Sequence, residues 1–314
     1  MSHDTDGRER REISLPASFG SGLLMGGADA IPGVSGGTIA LIIGIYERFI
    51  GSIAVILRAP RLGRTAQGRT ELAGALRFLV PLGLGVGVAY VLVTKLLVGG
   101  EADTDALMKA PSTAPICYGF FFGLVLFSLK EPWRRLRHPG PASFGWAALG
   151  CAASSVFSGL PYAQGNVETW MLLYGGAGAI SVMLLPGVSG SLLLVMLGQY
   201  TAVVEALHDR DIPRFAVFLA GVVIGVAVFV PLLRRLLRTA HDATMATLTG
   251  LMAGSLRALW PWKANFDPKA GALINEAPGG PILGVVIAAM AGAGAVYLLS
   301  LLEKRLRTST DTVS

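Results

Sequence analysis

Residues 31–38 read IPGVSGGT and residues 185–191 read LPGVSGS, so one glycine-serine turn is written twice inside apolar sequence. Pro32 and Pro186 fix φ and suit the start of a helix. Gly33, Gly36, Gly37, Gly187 and Gly190 permit a tight turn and leave backbone N–H groups uncovered. A helix start with free N–H donors and the positive end of its dipole suits an anion. Ser35, Thr38, Ser189 and Ser191 add hydroxyls. The chemistry expected is therefore the holding of a small anionic group, with Pro32, Gly33, Pro186 and Gly187 shaping the turns. The other reading is a tight loop at the membrane edge.

Ionisable residues flank the first turn only. Asp29, Glu47 and Arg48 of the first copy stand where Met183, Thr201 and Ala202 stand in the second. Charges inside a membrane are costly and point to function. Arg48 would give a phosphate a fixed positive charge, and Asp29 or Glu47 would carry a proton. The plainer roles also stand: Asp29 capping the turn, and Glu47 and Arg48 pairing at the interface. Glu205 reads as a residue facing water beside HDRD (208–211).

The elements that position these turns are membrane helices. The chain of 314 residues is 53% hydrophobic and 15% charged, against about 25% charged in soluble domains, and its mean hydropathy is +0.60. Several apolar runs approach the roughly 20 residues that cross a bilayer as a helix. Spans are expected near 78–98, 113–130, 143–160, 215–233, 244–260 and 281–302. The stretches before the turns, 19–31 and 171–185, reach roughly 20 Å as helices, short of a ~30 Å bilayer core. They suit re-entrant hairpins over 19–57 and 171–207, although two complete spans each would give the same parity. Residues 1–17 and 303–314 form a polar N-terminal segment and tail.

Lys and Arg mark cytoplasmic loops. Five segments hold 18 of the 26 basic residues: 8–11, 58–77, 130–137, 234–238 and 304–307. Placing all five inside puts both termini in the cytoplasm and gives residues 18–160 and 171–302 opposite orientations. The net charge of +6 is thus explained by topology and is no nucleic-acid signal. Sequence matches support a duplication: Pro32, Gly44 and Tyr46 with Pro186, Gly198 and Tyr200, all 154 apart, and Gly83 and Gly87 with Gly221 and Gly225. The fold class expected is an all-α polytopic membrane protein of two inverted repeats, each a re-entrant hairpin plus three transmembrane helices. Such repeats characterise alternating-access transporters with a site at the repeat interface. GFFFG (119–123) and GLMAG (250–254) read as helix-packing faces, and the five tryptophans as an aromatic belt. Cys117, Cys151 and the four histidines form no disulfide framework, metal site or catalytic set, and no cofactor is expected.

GGADAIPGVSGGTIALIIGIYERFI (26–50) together with LPGVSGSLLLVMLGQY (185–200) resembles the bacterial polyprenyl-phosphate transporter family, the undecaprenyl-phosphate translocases. The resemblance covers roughly 18–302. It implies a multi-pass protein of the bacterial plasma membrane that returns undecaprenyl phosphate from the outer to the inner leaflet for cell-envelope synthesis. From it come site expectations for Pro32, Gly33, Ser35, Gly36, Gly37, Thr38, Gly44 and Tyr46, and for Pro186, Gly187, Ser189, Gly190, Ser191 and Tyr200. Tyr46, Gln199 and Tyr200 are expected to line the groove. The second copy departs from the first in having Ser191 for Gly37 and Leu192 for Thr38. Two alternatives remain: a membrane undecaprenyl-pyrophosphate phosphatase-like enzyme, whose similar turn carries an Arg where this chain has Gly36 and Gly190, and a small-anion transporter.

Overall fold

Close backbone contact between helices organises this protein, and glycine permits it. The computed structural model describes residues 14–31, 34–99, 106–160, 163, 166–266 and 274–311. Pro32, Gly33, the first 13 residues and part of the acidic stretch 99–110 lie outside the described residues. The first half comprises α1 (Leu15–Asp29), α2 (Gly36–Ile42), α3 (Tyr46–Leu57), α4 (Ala59–Leu62), α5 (Ala66–Val93), α6 (Ala114–Ser128), α7 (Lys130–Trp133) and α8 (Pro141–Phe157). A π-helical turn, Thr94–Val98, continues α5. The second half comprises α9 (Met171–Met183), α10 (Gly190–Met196), α11 (Tyr200–His208), α12 (Ile212–Thr239), α13 (His241–Ser255) and α14 (Ile282–Asp311).

Ala66–Leu97, Ala114–Trp133, Ile212–Thr239 and Ile282–Leu301 are long and apolar enough to cross a membrane, and the number rises to six if each bent pair α2–α3 and α10–α11 is one span. The expected spans 143–160 and 244–260 are shorter: α8 has 17 residues and α13 has 15. The expected span 78–98 begins earlier, because Thr65 caps α5 by accepting from Gly68 N at 3.0 Å and the helix extends through a polar first turn.

Helices pair in matching ways in the two halves. α1 packs on α5, and α9 packs on α12. A Cβ on Gly22 or Gly26 would strike the carbonyl of Leu82 or Val86, and one on Gly176 or Gly221 that of Phe218 or Leu173. The last helices exchange across the halves, with α6 on α14 and α8 on α13. Gly119 and Gly123 face Val285 and Ala289, while Gly250 and Gly254 face Ala147 and Cys151. The GxxxG segments therefore act as packing faces, as their small residues suggest. One detail differs from the sequence reading. Gly83 and Gly87 are exposed with nothing near them, and Gly85 is the residue that meets α1. Gly221 is thus the counterpart of Gly85, two residues along from the expected match.

The breaks after α2 and α10 also correspond. Gly44 has φ +77° and Gly198 has φ +69°, a left-handed conformation that glycine adopts without a Cβ penalty. The chain bends there by 119° between α2 and α3 and by 105° between α10 and α11. Each α2-type helix also has its C-terminal carbonyls capped from elsewhere: Arg135 Nη2 donates to Leu41 O at 2.7 Å, and Ala163 N donates to Met196 O at 2.7 Å. At the start of α13, Asp242 accepts from Arg137 N at 2.9 Å and His138 N at 2.8 Å. Those amides, the first of them most, and the His241 ring hold its carboxyl at about 2, below the ordinary 3.8.

Two outcomes test this packing. Gly85→Ala lowers unfolding stability by about 1–3 kcal/mol through overpacking, whereas Gly83→Ala stays within about 0.5 kcal/mol of the parent; equal effects in a thermal melt would contradict the assigned face. Because the Asp242 carboxyl is depressed on folding, its contribution is full above the ordinary carboxylate value and disappears as pH falls towards about 2. Asp242→Asn should therefore be less stable than the parent at pH 6 and converge with it at the acid end, as read by pH-dependent melting in detergent.

Candidate functional site

The two glycine-serine turns meet. At the first, Ser35 is extended (φ −125°, ψ 134°) and caps α2, accepting from Gly37 N at 3.2 Å. The Asp29 carboxylate, at the end of α1, accepts from Gly36 N at 2.6 Å. A carboxyl oxygen thus already sits on the first amide of α2. At the second, Ser189 is extended (φ −99°, ψ 124°), accepts from Leu192 N at 3.4 Å and shares a hydrogen bond with Ser191 at 2.9 Å. Met183 stands where Asp29 stands in the first copy, so no carboxylate reaches Gly190 from that position. A Cβ on Gly190 would lie 2.5 Å from Ala179 O and 3.1 Å from Met183 Cβ.

Three side chains of the first hairpin clasp the second turn. Thr38 Oγ1 accepts from Gly187 N at 3.0 Å. Ser35 Oγ donates to Leu185 O at 3.3 Å. Tyr46 OH donates to Leu184 O at 2.9 Å. Ser35, Thr38 and Tyr46 are buried, as are Ile31, Val34, Leu184 and Val188. The turn on which Gly187 lies also rests on α13, where a Cβ at that glycine would lie 2.5 Å from Met252 Cα.

The clasp alters two expectations. The turns were expected to frame an open cradle; here their polar groups satisfy one another, and neither of the cavities described below is lined by a turn residue. Tyr46 is expected on a groove wall, but it is fully buried in the apolar core, with its hydroxyl donating to Leu184 O. Gln199 is also buried, at 1% exposure, beside Gly175. Neither of its amide atoms finds a hydrogen-bond partner among the described residues. Tyr200 is half-buried at the start of α11, and Tyr90 on α5 lies within electrostatic range of both Tyr200 and Asp29.

Arg48 and Glu47 are not at the turns. Both line a cavity of about 770 Å³ between α3, α5 and α12. Arg48 places its guanidinium carbon 4.7 Å from the centre of the Phe78 ring. Glu47 is mostly exposed, with His241 Nε2 at 3.9 Å. The same cavity takes in Arg58, Arg77, Arg234 and Arg238, which in the sequence read only as cytoplasmic-loop charges. Two further roles went unread. Arg135, far from either motif, caps α2. Lys263, in the segment between α13 and α14, is buried with Nζ donating to Ala258 O at 2.5 Å and lying 3.6 Å from the centre of the Tyr118 ring. Burial pulls its ammonium down to about 7. Buried cations are rarely visible in sequence, since burial depends on which loop folds over them.

The chain's likeness to known proteins agrees with the arrangement of apolar helices and paired turns. A family profile described as undecaprenyl phosphate translocase-like matches residues 25–272. A curated protein of Vibrio cholerae serotype O1, named polyprenyl-phosphate transporter, is 34% identical over 273 residues, covering 85% of each chain. No solved structure matches. With the paired motifs inside the matched region and the likeness running through most of both chains, this protein belongs to the undecaprenyl phosphate translocase-like family.

Proposed function

We propose that this protein carries a polyprenyl phosphate across the membrane, returning undecaprenyl phosphate from the outer to the inner leaflet, with the phosphate passing between the two turns. The observation that carries the reading is the Asp29 carboxylate bound to Gly36 N where the turns meet. That amide donates to a carboxyl oxygen while surrounded by apolar sequence. A substrate phosphate would displace Asp29, open the Thr38–Gly187 clasp, and take the amides and hydroxyls of Ser35, Gly36, Gly37, Thr38, Ser189, Gly190 and Ser191. Asp29 is the proton-coupling group in this reading: displaced from its amide, it takes up a proton. Glu47, beside His241, is the second candidate. The isoprenoid chain stays in lipid throughout, because only the charged headgroup needs shelter from hydrocarbon.

The matched helix pairings support two inverted repeats, residues 18–160 and 171–302, each opening with a re-entrant hairpin. So does the capping of the two breaks: Arg135, from a basic stretch, caps α2, while Ala163, from the non-basic stretch after α8, caps α10. Opposite orientations would put these two caps on opposite sides of the membrane, with the basic one and both termini in the cytoplasm. The packing around Gly190 favours transport over phosphatase chemistry. No side chain fits there without displacing the Ala179 carbonyl, so the second turn has no room for a charge-stabilising Arg of the kind that phosphoryl transfer uses.

Leaflet exchange of labelled undecaprenyl phosphate in liposomes tests the reading. Gly190→Leu should insert in the membrane and lose exchange, and wild-type rates in that variant would remove the turns from the path. Asp29→Asn keeps an acceptor near Gly36 N but carries no proton. Its exchange should lose the parent's pH dependence, and an unaltered pH profile would take proton coupling away from Asp29.

A further inference from the structure

Five arginines converge on one chamber. Arg48 comes from α3, Arg58 from the junction of α3 with α4, Arg77 from α5, and Arg234 and Arg238 from α12. They outnumber the carboxylates in the wall, Glu47 and Glu71, by five to two. The wall thus carries a net excess of positive charge, which favours an anion in the concave site. The volume of about 770 Å³ falls in the range of roughly 300–1,000 Å³ typical of small-ligand sites. Ile50, Val55, Phe78 and Leu237 give it a buried apolar floor. Two of the guanidiniums are held in place: Arg48 over the Phe78 ring, and Arg58 by Nε donating to Ala54 O at 3.2 Å. Planar guanidinium forks held this way match phosphate oxygens in pairs.

The chamber also continues sideways. A second cavity of about 440 Å³ shares Arg58, Arg234 and Arg238 and adds Arg235, Leu57 and Pro231. Beside it, the outward face of α12 exposes Val228, Leu232 and Leu236. A soluble anion needs no apolar continuation of its site, whereas a lipid has a chain that must leave. A phosphomonoester carries a charge of about −1.5 to −2 and three acceptor oxygens, which suits this excess of arginine better than the single charge of a phosphodiester. Basic pockets between membrane helices are known lipid-headgroup sites.

We infer that this chamber binds the phosphomonoester headgroup of a membrane lipid, with the chain lying along the outer face of α12. It is separate from the paired turns. Its identification as a docking station for polyprenyl phosphate rests on the transport reading; the binding of a phosphomonoester lipid does not.

Native mass spectrometry of the purified full-length protein tests this with four probes: undecaprenyl phosphate, phosphatidic acid, phosphatidylglycerol and inorganic phosphate. Both phosphomonoester lipids should bind more tightly than phosphatidylglycerol, and inorganic phosphate should not displace them at equal concentration. The double variant Arg58→Gln/Arg238→Gln should weaken both lipids roughly tenfold or more, since each loses a charge-assisted contact. Arg58→Lys/Arg238→Lys keeps the charges and should fall between the two, which separates lost recognition from lost folding. Unchanged lipid affinity in the glutamine variant, or binding of inorganic phosphate alone, would overturn the inference. Arginine-dependent binding of phosphatidic acid without undecaprenyl phosphate would uphold the chamber and overturn its identification as a docking station for polyprenyl phosphate, while the leaflet-exchange assay decides the transport reading separately.

Discussion

A helix interrupted inside an apolar fold must satisfy its own backbone, and this protein joins its two glycine-serine turns to each other. Backbone N–H and C=O groups at membrane depth are tolerated only when protein or a lined cavity supplies partners. Gly187 N is met by the Thr38 hydroxyl, and the Leu184 and Leu185 carbonyls by Tyr46 and Ser35. Neither turn could be left in this environment alone, because each unpaired buried group costs about 1–3 kcal/mol. The glycine-lined helix pairs hold the surrounding scaffold at the short distance this clasp requires.

The clasp is lopsided, which matters for mechanism. All three of these clasping side chains come from the first hairpin, and the carboxylate at Gly36 has no equivalent at Gly190, where Met183 takes its place. Halves that pair their helices in matching ways thus carry an unsymmetrical centre. The arginine chamber repeats the pattern: Arg48 on α3 has Ala202 as its counterpart on α11. In the proposed cycle this asymmetry distinguishes the two sides of the membrane, with positive charge gathered on one side of the clasp. Transporter action then amounts to exchanging internal partners for a substrate phosphate at groups already paired, so little new unsatisfied surface has to form along the way.

Much of this was legible in the sequence. The repeated GVSG turn and the 154-residue offset marked the two turns, because tight turns restrict residue choice; Gly44 and Gly198 were visible only as matched positions, and their left-handed bends came with the structure. The helix-packing faces at 119–123 and 250–254 were legible for the same reason. The register of α5 was not. GLGVG (83–87) offers glycines on two faces, and spacing alone cannot choose between Gly83 with Gly87 and Gly85 with Ala89; packing against α1 chooses the latter. The closed state of the turns was hidden because a hydroxyl that could greet a phosphate can equally greet a neighbouring amide. The chamber was hidden because Arg58 and Arg234 lie far apart in the chain and meet only through α3 packing on α12.

In the proposed cycle the clasp must part for a lipid phosphate to cross. A reversible lock tests it most directly. A Cβ on Gly37 would lie 3.4 Å from Pro186 N, so Gly37→Cys with Pro186→Cys, in a background without Cys117 and Cys151, would allow a disulfide across the two turns. Leaflet exchange of undecaprenyl phosphate in liposomes is then measured oxidised and reduced. The account predicts exchange stopped in the oxidised protein and restored by reductant. Equal exchange in the fully cross-linked and reduced protein would contradict it.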